Sequence, residues 1–257
     1  MIKCKLIDCK VFVSLAVVGI AAMLPSQVHA TELVTNGGFE TSTSGNGQVD
    51  FNTSLTGWSV SGGYTFLFSP GAGTSGTTAD TTGADGEYGN LGLWGPGNGV
   101  ANGLTNSPTG GNFIAQDSAF QQSPITQTIS GLTIGQTYNL NFDWAAAQQL
   151  GFDGDTFDQW QVSLGSEQHN TSTVNLSSHG FSGWMHETFQ YTATAPSETL
   201  SFFAAGGPPG VPPFALLDGV SLQAVPEAGT GMAVMTGLMG FSAFARRRAR
   251  SRARSAK

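Results

Sequence analysis

Between Thr31 and Ala224, apolar and polar residues alternate with a period of two in run after run. That period marks strands with one buried face. Tyr138, Leu140, Phe142 and Trp144 alternate with Asn139, Asn141 and Asp143. Trp160, Val162 and Leu164 repeat the pattern, as do Phe189, Tyr191 and Ala193, and then Leu200, Phe202 and Ala204. Residues 125–129 and 215–223 read as further strands, the first followed by a turn over 131–135. Earlier in the chain, Leu33-Val34-Thr35 and Phe39-Glu40 flank a turn at Asn36-Gly37-Gly38. Trp58-Ser59-Val60 and residues 64–68 flank Gly62-Gly63, which predicts a hairpin. Residues 89–94 and 112–115 are shorter strands, and 69–87 reads as a long loop. Ala145-Ala146-Ala147-Gln148-Gln149 allows at most one helical turn. About ten short strands joined by Gly-rich turns predict an all-β fold, an antiparallel β-sandwich.

The two ends break this pattern. Lys3, Lys5 and Lys10 precede a short apolar core over 11–24, and Val28-His29-Ala30 offers small residues for cleavage. Residues 1–30 therefore read as a signal peptide; an uncleaved N-terminal anchor is the alternative. Residues 228–245 carry no charge. As a helix they would cover roughly 27 Å, close to a bilayer's hydrocarbon core, and predict a single transmembrane helix. Arg246, Arg247, Arg248, Arg250, Arg252 and Arg254 follow, and should stay on the cytoplasmic side. Val225-Pro226-Glu227, the short span and the basic tail together resemble a PEP-CTERM sorting signal, over 225–250 with 251–257 as its basic tail. The resemblance implies processing by an exosortase. Ala228 stands where a second proline is usual in that family.

Charge separates the middle from the ends. All ten Lys and Arg lie in 1–10 or 246–257, so the 31–224 domain has none. All but two of the 17 acidic residues, Asp8 and Glu227, lie within it. Nucleic acid is excluded as a partner, because phosphate contacts need basic side chains. Both cysteines, Cys4 and Cys9, leave with the signal peptide, so the remaining chain has no thiol chemistry.

Motifs for catalysis are weak. Gly71-Ala72-Gly73-Thr74-Ser75-Gly76 matches a dinucleotide fingerprint but continues as loop rather than opening a helix. His179-Gly180-Phe181-Ser182-Gly183 lacks the context of a nucleophile elbow. His169, His179 and His186 lack the spacing of a helical zinc site. Asp153, Asp155 and Asp158, loosened by Gly154, have three readings: a solvated acidic loop, a calcium loop without the EF-hand pattern, or a glycosidase pair. Among the aromatics, Trp144, Trp160, Phe189 and Tyr191 fall on core positions. Tyr88, Trp94 and Trp184 lie beside glycine-rich loops. There they either stack on sugar rings, with Asn and Gln bonding the hydroxyls, or close the ends of the sandwich.

Residues 33–40, 131–144 and 212–222 together resemble the galactose-binding-like jelly roll, found in many carbohydrate-binding modules and PEP-CTERM exoproteins. Asp218 shares the parity of Leu216, Val220 and Leu222, so a regular strand would turn it toward the core. A β-bulge near Gly219 would turn it outward instead. With no Lys or Arg available, a buried Asp218 needs protonation, backbone N–H donors or a cation. The resemblance implies a structural Ca2+ joining the first and last strands, with Glu40 as the partner carboxylate. Together with the signal peptide and the sorting-signal resemblance, the expectation is a non-enzymatic exported protein, anchored in the inner membrane as a precursor and then placed at the cell surface or outside it. Its expected partners are an exosortase, the export machinery, the membrane during transit and extracellular polysaccharide. A structural biofilm or coat protein without a ligand is one alternative, and a secreted glycan hydrolase another.

Overall fold

The computed structural model describes residues 31–69 and 84–226. The predicted signal peptide, the glycine-rich motif at 71–76, Glu227, the 228–245 span and the arginine cluster lie outside the described residues. Among the described residues, no helix is long and apolar enough to cross a membrane.

Strands appear where the alternation is strongest. In chain order they are β1 (Gly47–Gln48), β2 (Ser59–Val60), β3 (Thr65–Phe68), β4 (Phe113–Asp117), β5 (Ile125–Ser130) and β6 (Thr137–Gln148). They continue with β7 (Thr156–Leu164), β8 (Glu167–Asn170), β9 (Val174–Leu176), β10 (Met185–Thr192), β11 (Ser197–Gly207) and β12 (Pro213–Ala224). A single 3-10 turn, Pro96–Asn98, is the only helical element among the described residues. One sheet runs β1-β3-β4-β12-β6-β10, and the other β2-β5-β11-β7-β8 with β9 also on β7. Every strand pair is antiparallel, which makes the fold an all-β sandwich.

Between the sheets lies the main core. Leu140, Phe142 and Trp144 from β6 meet Trp160, Val162 and Leu164 from β7 and Leu200, Phe202 and Ala204 from β11. The indole N–H of Trp160 donates to the carbonyl of Leu216 at 3.1 Å, whereas that of Trp144 is buried without a partner. A second cluster covers part of the outer face of the first sheet. Phe66, Phe68, Phe113, Ala115, Ala145, Ala147, Phe214 and Leu216 lie there beneath Leu91, Leu93 and Leu104.

This second layer corrects two expectations. The stretch at 145–148 is not a helical turn but the end of β6. Its alanines lie between covered faces, where helix propensity is overridden by ladder pairing and small side chains fit. The predicted hairpin across Gly62-Gly63 does not form either. β2 pairs with β5 in one sheet and β3 with β1 and β4 in the other. The chain crosses between sheets there, letting Val60 and Leu67 reach the main core from opposite sides.

Asp218 is likewise corrected. Register between β12 and β6 shifts between Asp218 and Ser221, and Gly219 takes φ +62. The bulge changes the parity of the strand. Phe214 and Leu216 face the outer cluster while Val220 and Leu222 face the main core. Asp218 goes with Phe214 and Leu216, away from the sandwich core, yet it is fully buried.

Candidate functional site

The uncovered half of the outer face is built by β10, β6 and the end of β12. Alternation places His186, Thr188 and Gln190 of β10 on this face, opposite Asp143, Asn141 and Asn139 of β6. Ser221 and Gln223 of β12 extend the second and third rows. Each cross-strand pair is hydrogen bonded: His186 Nδ1 with Asp143 Oδ1 at 2.8 Å, the Thr188 hydroxyl to Asn141 Oδ1 at 2.8 Å, and Gln190 Nε2 to Asn139 Oδ1 at 3.1 Å. Glu32 closes the far end, accepting from the Ser221 hydroxyl and the Leu222 amide.

Trp184 heads this ladder. It precedes β10 with the parity of His186, packs edge-on against Phe113 at 5.6 Å and donates from its indole to the carbonyl of Thr105 at 3.0 Å. The ring is therefore anchored by a core aromatic and by the loop over 104–111, while remaining partly exposed. From Trp184 to Gln190 the surface extends about 20 Å along the strand. An anchored indole followed by amides and hydroxyls provides a stacking face and a row of neutral donors and acceptors.

Three segments converge beside the ladder. The Val220 amide donates to the carbonyl of Gly37 at 2.9 Å. A Cβ on Gly37 would fall 1.8 Å from the Val220 carbonyl oxygen, so the turn over 36–40 needs glycine there. Glu40 Oε1 accepts from the Asn112 amide at 2.8 Å. Asp218 Oδ1 accepts from the Gly219 amide at 2.7 Å, and Oδ2 from the Thr109 hydroxyl. Burial pushes the Asp218 carboxyl up to about 6; the Ser107 and Thr109 hydroxyls and the Gly219 amide oppose this, and Glu40 adds to it. Asp143, its register partner, also turns toward this corner, with Oδ2 3.2 Å from where a Cβ on Gly219 would stand. Among the described residues no three His, Cys, Asp or Glu side chains gather as a metal set. Glu40 and Asp218 are close enough at this junction for the charge of the first to raise the second.

The three loop aromatics do not form one surface. Trp184 lies on the ladder face. Trp94 stacks on His179 with ring centres 4.0 Å apart, so one of its faces is covered. Tyr88 contacts Phe120 and Tyr64 instead. The acidic loop also diverges. Asp153 pairs with His179 at 2.5 Å, Asp155 accepts from the Ser178 amide at 3.1 Å, and Asp158 points inward to the Ser118 hydroxyl. Asp153 and Asp155 thus both bond the turn at 178–179 while Asp158 turns inward, and the three do not gather as a metal set.

Sequence reading passed over the ladder because Asn139, Asn141 and Asp143 look like the solvent side of an ordinary strand. The available signal was their chemistry, amides and hydroxyls in place of the Lys and Glu common on solvated strands.

No protein-family model matches the chain, and no curated protein matches it. Solved structures are similar to it at low identity. TmCBM61 in complex with β-1,4-galactotriose is 15% identical, covering 76% of this chain and 100% of that one, with a TM-score of 0.41. A structure described as CBM4 is 18% identical over 74% of this chain and 99% of its own, with a TM-score of 0.33. The CBM22-1 xylan-binding domain of Paenibacillus barcinonensis Xyn10C is 10% identical over 77% and 97%, with a TM-score of 0.35.

Proposed function

We propose that this protein is a non-catalytic polysaccharide-binding module of the cell exterior. The observation that carries the reading is Trp184 at the head of a hydrogen-bonded ladder of Asn, Gln, Thr and Ser side chains. Sugar rings stack on the indole, and their hydroxyls exchange hydrogen bonds with the amides of Asn139, Asn141, Gln190 and Gln223. The absence of Lys and Arg from 31–224 disfavours anionic glycans and leaves neutral ones. The test is retardation in native gels containing β-1,4-galactan, xylan or mixed-linkage β-glucan. Trp184→Ala is expected to weaken binding by about 0.5–1.5 kcal/mol, judged from aromatic pairs. Full retention by that variant on every glycan would refute the ladder as the binding face.

Export and sorting belong to the same reading and rest on the sequence: a signal peptide over 1–30, then Val225-Pro226-Glu227, an uncharged span and Arg246, Arg247 and Arg248. An exosortase is the proposed processing partner, and the membrane the transient anchor. Val225 is tied into the domain, its amide donating to Thr137 and its carbonyl accepting from Gln136 at 2.8 Å. No spacer separates the sheet from the motif, so the precursor's domain would sit against the membrane. Intact-mass measurement of the extracellular protein should find a terminus near Pro226-Glu227. Molecules still ending after Arg254 would refute processing.

A bound Ca2+ is the third element. Glu40 and Asp218 would hold it, fastening the opening turn to the last strand beside the ladder. Its role there is structural.

A further inference from the structure

A band of aromatic rings runs across the covered half of the first sheet. Trp184 packs on Phe113, and Phe113 stacks on Phe68 at 5.4 Å with planes 9° apart. Phe66, Phe214 and Tyr64 continue it in mutual contact. The band surfaces again at its other end. Tyr64 meets Phe120 at 5.5 Å and Tyr88 at 5.9 Å, and those two rings lie 5.9 Å from each other. Tyr88 is 59% exposed and Phe120 47%. Of the exposed large hydrophobics Phe51, Tyr88, Phe120, Ile134, Phe152 and Phe157, only Tyr88 and Phe120 touch ring to ring among the described residues.

Polar groups are built in around this pair. Asp117 ends β4 directly beneath it, and its Oδ1 accepts from the Ala119 and Phe120 amides at 2.8 and 2.9 Å, which seats Phe120. Its Oδ2 is buried and has no hydrogen-bond partner, in a residue only 1% exposed. An unpaired carboxylate oxygen of this kind is costly unless something donates to it. Gln121 donates from Nε2 to the Tyr88 hydroxyl at 2.9 Å and fixes that ring from the solvent side. With no Lys or Arg in the domain, the charge of Asp117 bears instead on the buried Asp158 carboxyl, which burial pushes up to about 8.

We propose that Tyr88 and Phe120 form a second glycan site, stacking a pyranose ring on the exposed pair that Asp117 and Gln121 hold in place. The inference rests on the polysaccharide-binding reading of the preceding subsection. Trp184 reaches Phe68 through Phe113, while Tyr88 and Phe120 lie on Tyr64, four residues back along the chain that forms β3, about 13 Å away. One chain therefore holds two polysaccharide segments, or one long segment at two points, and binds more tightly than either site alone. Two such sites turn a binding module into a cross-linker of a polysaccharide matrix.

The experiment compares full-length wild type in mild detergent with Phe120→Ala, Tyr88→Ala, Trp184→Ala and the Trp184/Phe120 double variant. Retardation is read in gels containing β-1,4-galactan, xylan or mixed-linkage β-glucan. Turbidity of the same glycans reports cross-linking, and melting temperature confirms folding. Phe120→Ala and Tyr88→Ala are expected to bind roughly threefold to tenfold more weakly. Both should lose turbidity while keeping wild-type melting, and the double variant should lose retardation altogether. If Trp184→Ala alone abolishes binding while Phe120→Ala and Tyr88→Ala behave as wild type, the second site is overturned and the ladder stands. If the Phe120 and Tyr88 variants are defective and Trp184→Ala is not, this site stands and the ladder falls. Wild type retarded by none of the three glycans overturns both.

Discussion

Lowering the pH from about 8.5 to 5 should raise the melting temperature of this protein by several degrees. Asp158 is fully buried on β7 at the end of the sandwich, and burial pushes its carboxyl up to about 8. The hydroxyl of Ser118 opposes that shift and the charge of Asp117 adds to it. Burial similarly lifts Asp117 to about 6, against the amides of Ala119 and Phe120. Both groups are raised above their unfolded value, so folding takes up protons. Their stabilising contribution is complete below the unfolded value near 3.8 and is lost as pH climbs through 6 for Asp117 and 8 for Asp158. Each unit of pH inside a window is worth at most about 1.4 kcal/mol per group, a total of a few kcal/mol. In a domain of this size 1 kcal/mol moves the midpoint by roughly 2–4 °C. Glu198 acts in the opposite sense. Burial raises it, but the Thr194 hydroxyl and the amides of Thr194 and Ala195 hold it below its ordinary value. Its contribution is lost only at lower pH, and the scan should stop at 5. Asp158→Asn keeps an acceptor for Ser118 and should flatten the upper part of the curve. A midpoint that falls steadily on acidification, or an unchanged slope in Asp158→Asn, would show that the buried carboxyl does not control it.

Removing calcium is expected to have the other large effect. If Glu40 and Asp218 hold the ion, its binding stabilises the folded chain by about 2.7 kcal/mol at a hundred times the dissociation constant. Chelator should then lower the wild-type melting temperature by several degrees. Asp218→Asn and Glu40→Gln should barely respond. The two conditions ought to cross for Asp218→Asn. Without calcium it should match or exceed wild type, because a buried charge has been removed while the Gly219 and Thr109 donors keep an acceptor. With calcium it should fall below wild type. A wild-type melt indifferent to chelator would leave those two hydrogen bonds as the whole account of the buried Asp218.

How far the site could be read beforehand differs from residue to residue. Trp184 was a candidate because it follows Gly183 beside a loop, and it does head the ladder. Tyr88 was grouped with it on the same ground, but the fold takes the two rings to opposite ends of one aromatic band. Trp94 has the same sequence context and spends one face on His179. Loop context identifies rings outside regular strands; it does not say which loops converge. Phe120 and Asp117 went unnoticed for a related reason. Their meaning depends on Tyr88, which lies more than twenty residues away in the chain and reaches them only through the folding of β3 against β4.

What the sequence determined by itself was the material of the fold. Period-two alternation at 138–144, 160–164, 189–193 and 200–204 commits those segments to strands with one buried face, since the pleat sends successive side chains to opposite sides. The distribution of Lys and Arg likewise decided, without any structure, that the domain's carboxylates find no basic partner. Tertiary structure decided which sheet each strand joins and which faces are covered. The Gly62-Gly63 segment is compatible with a hairpin locally, and only competition for the common core sends β2 and β3 to different sheets. Ala145 and Ala147 are small enough for a helix or a strand, and the second layer of rings above them settles the matter. The bulge at Gly219 has the largest consequence. One shift of register reverses the parity of β12 and carries Asp218 out of the sandwich core. There it lies beneath Thr109, beside Glu40 and the ladder, because strand parity is a local rule that a single left-handed residue resets.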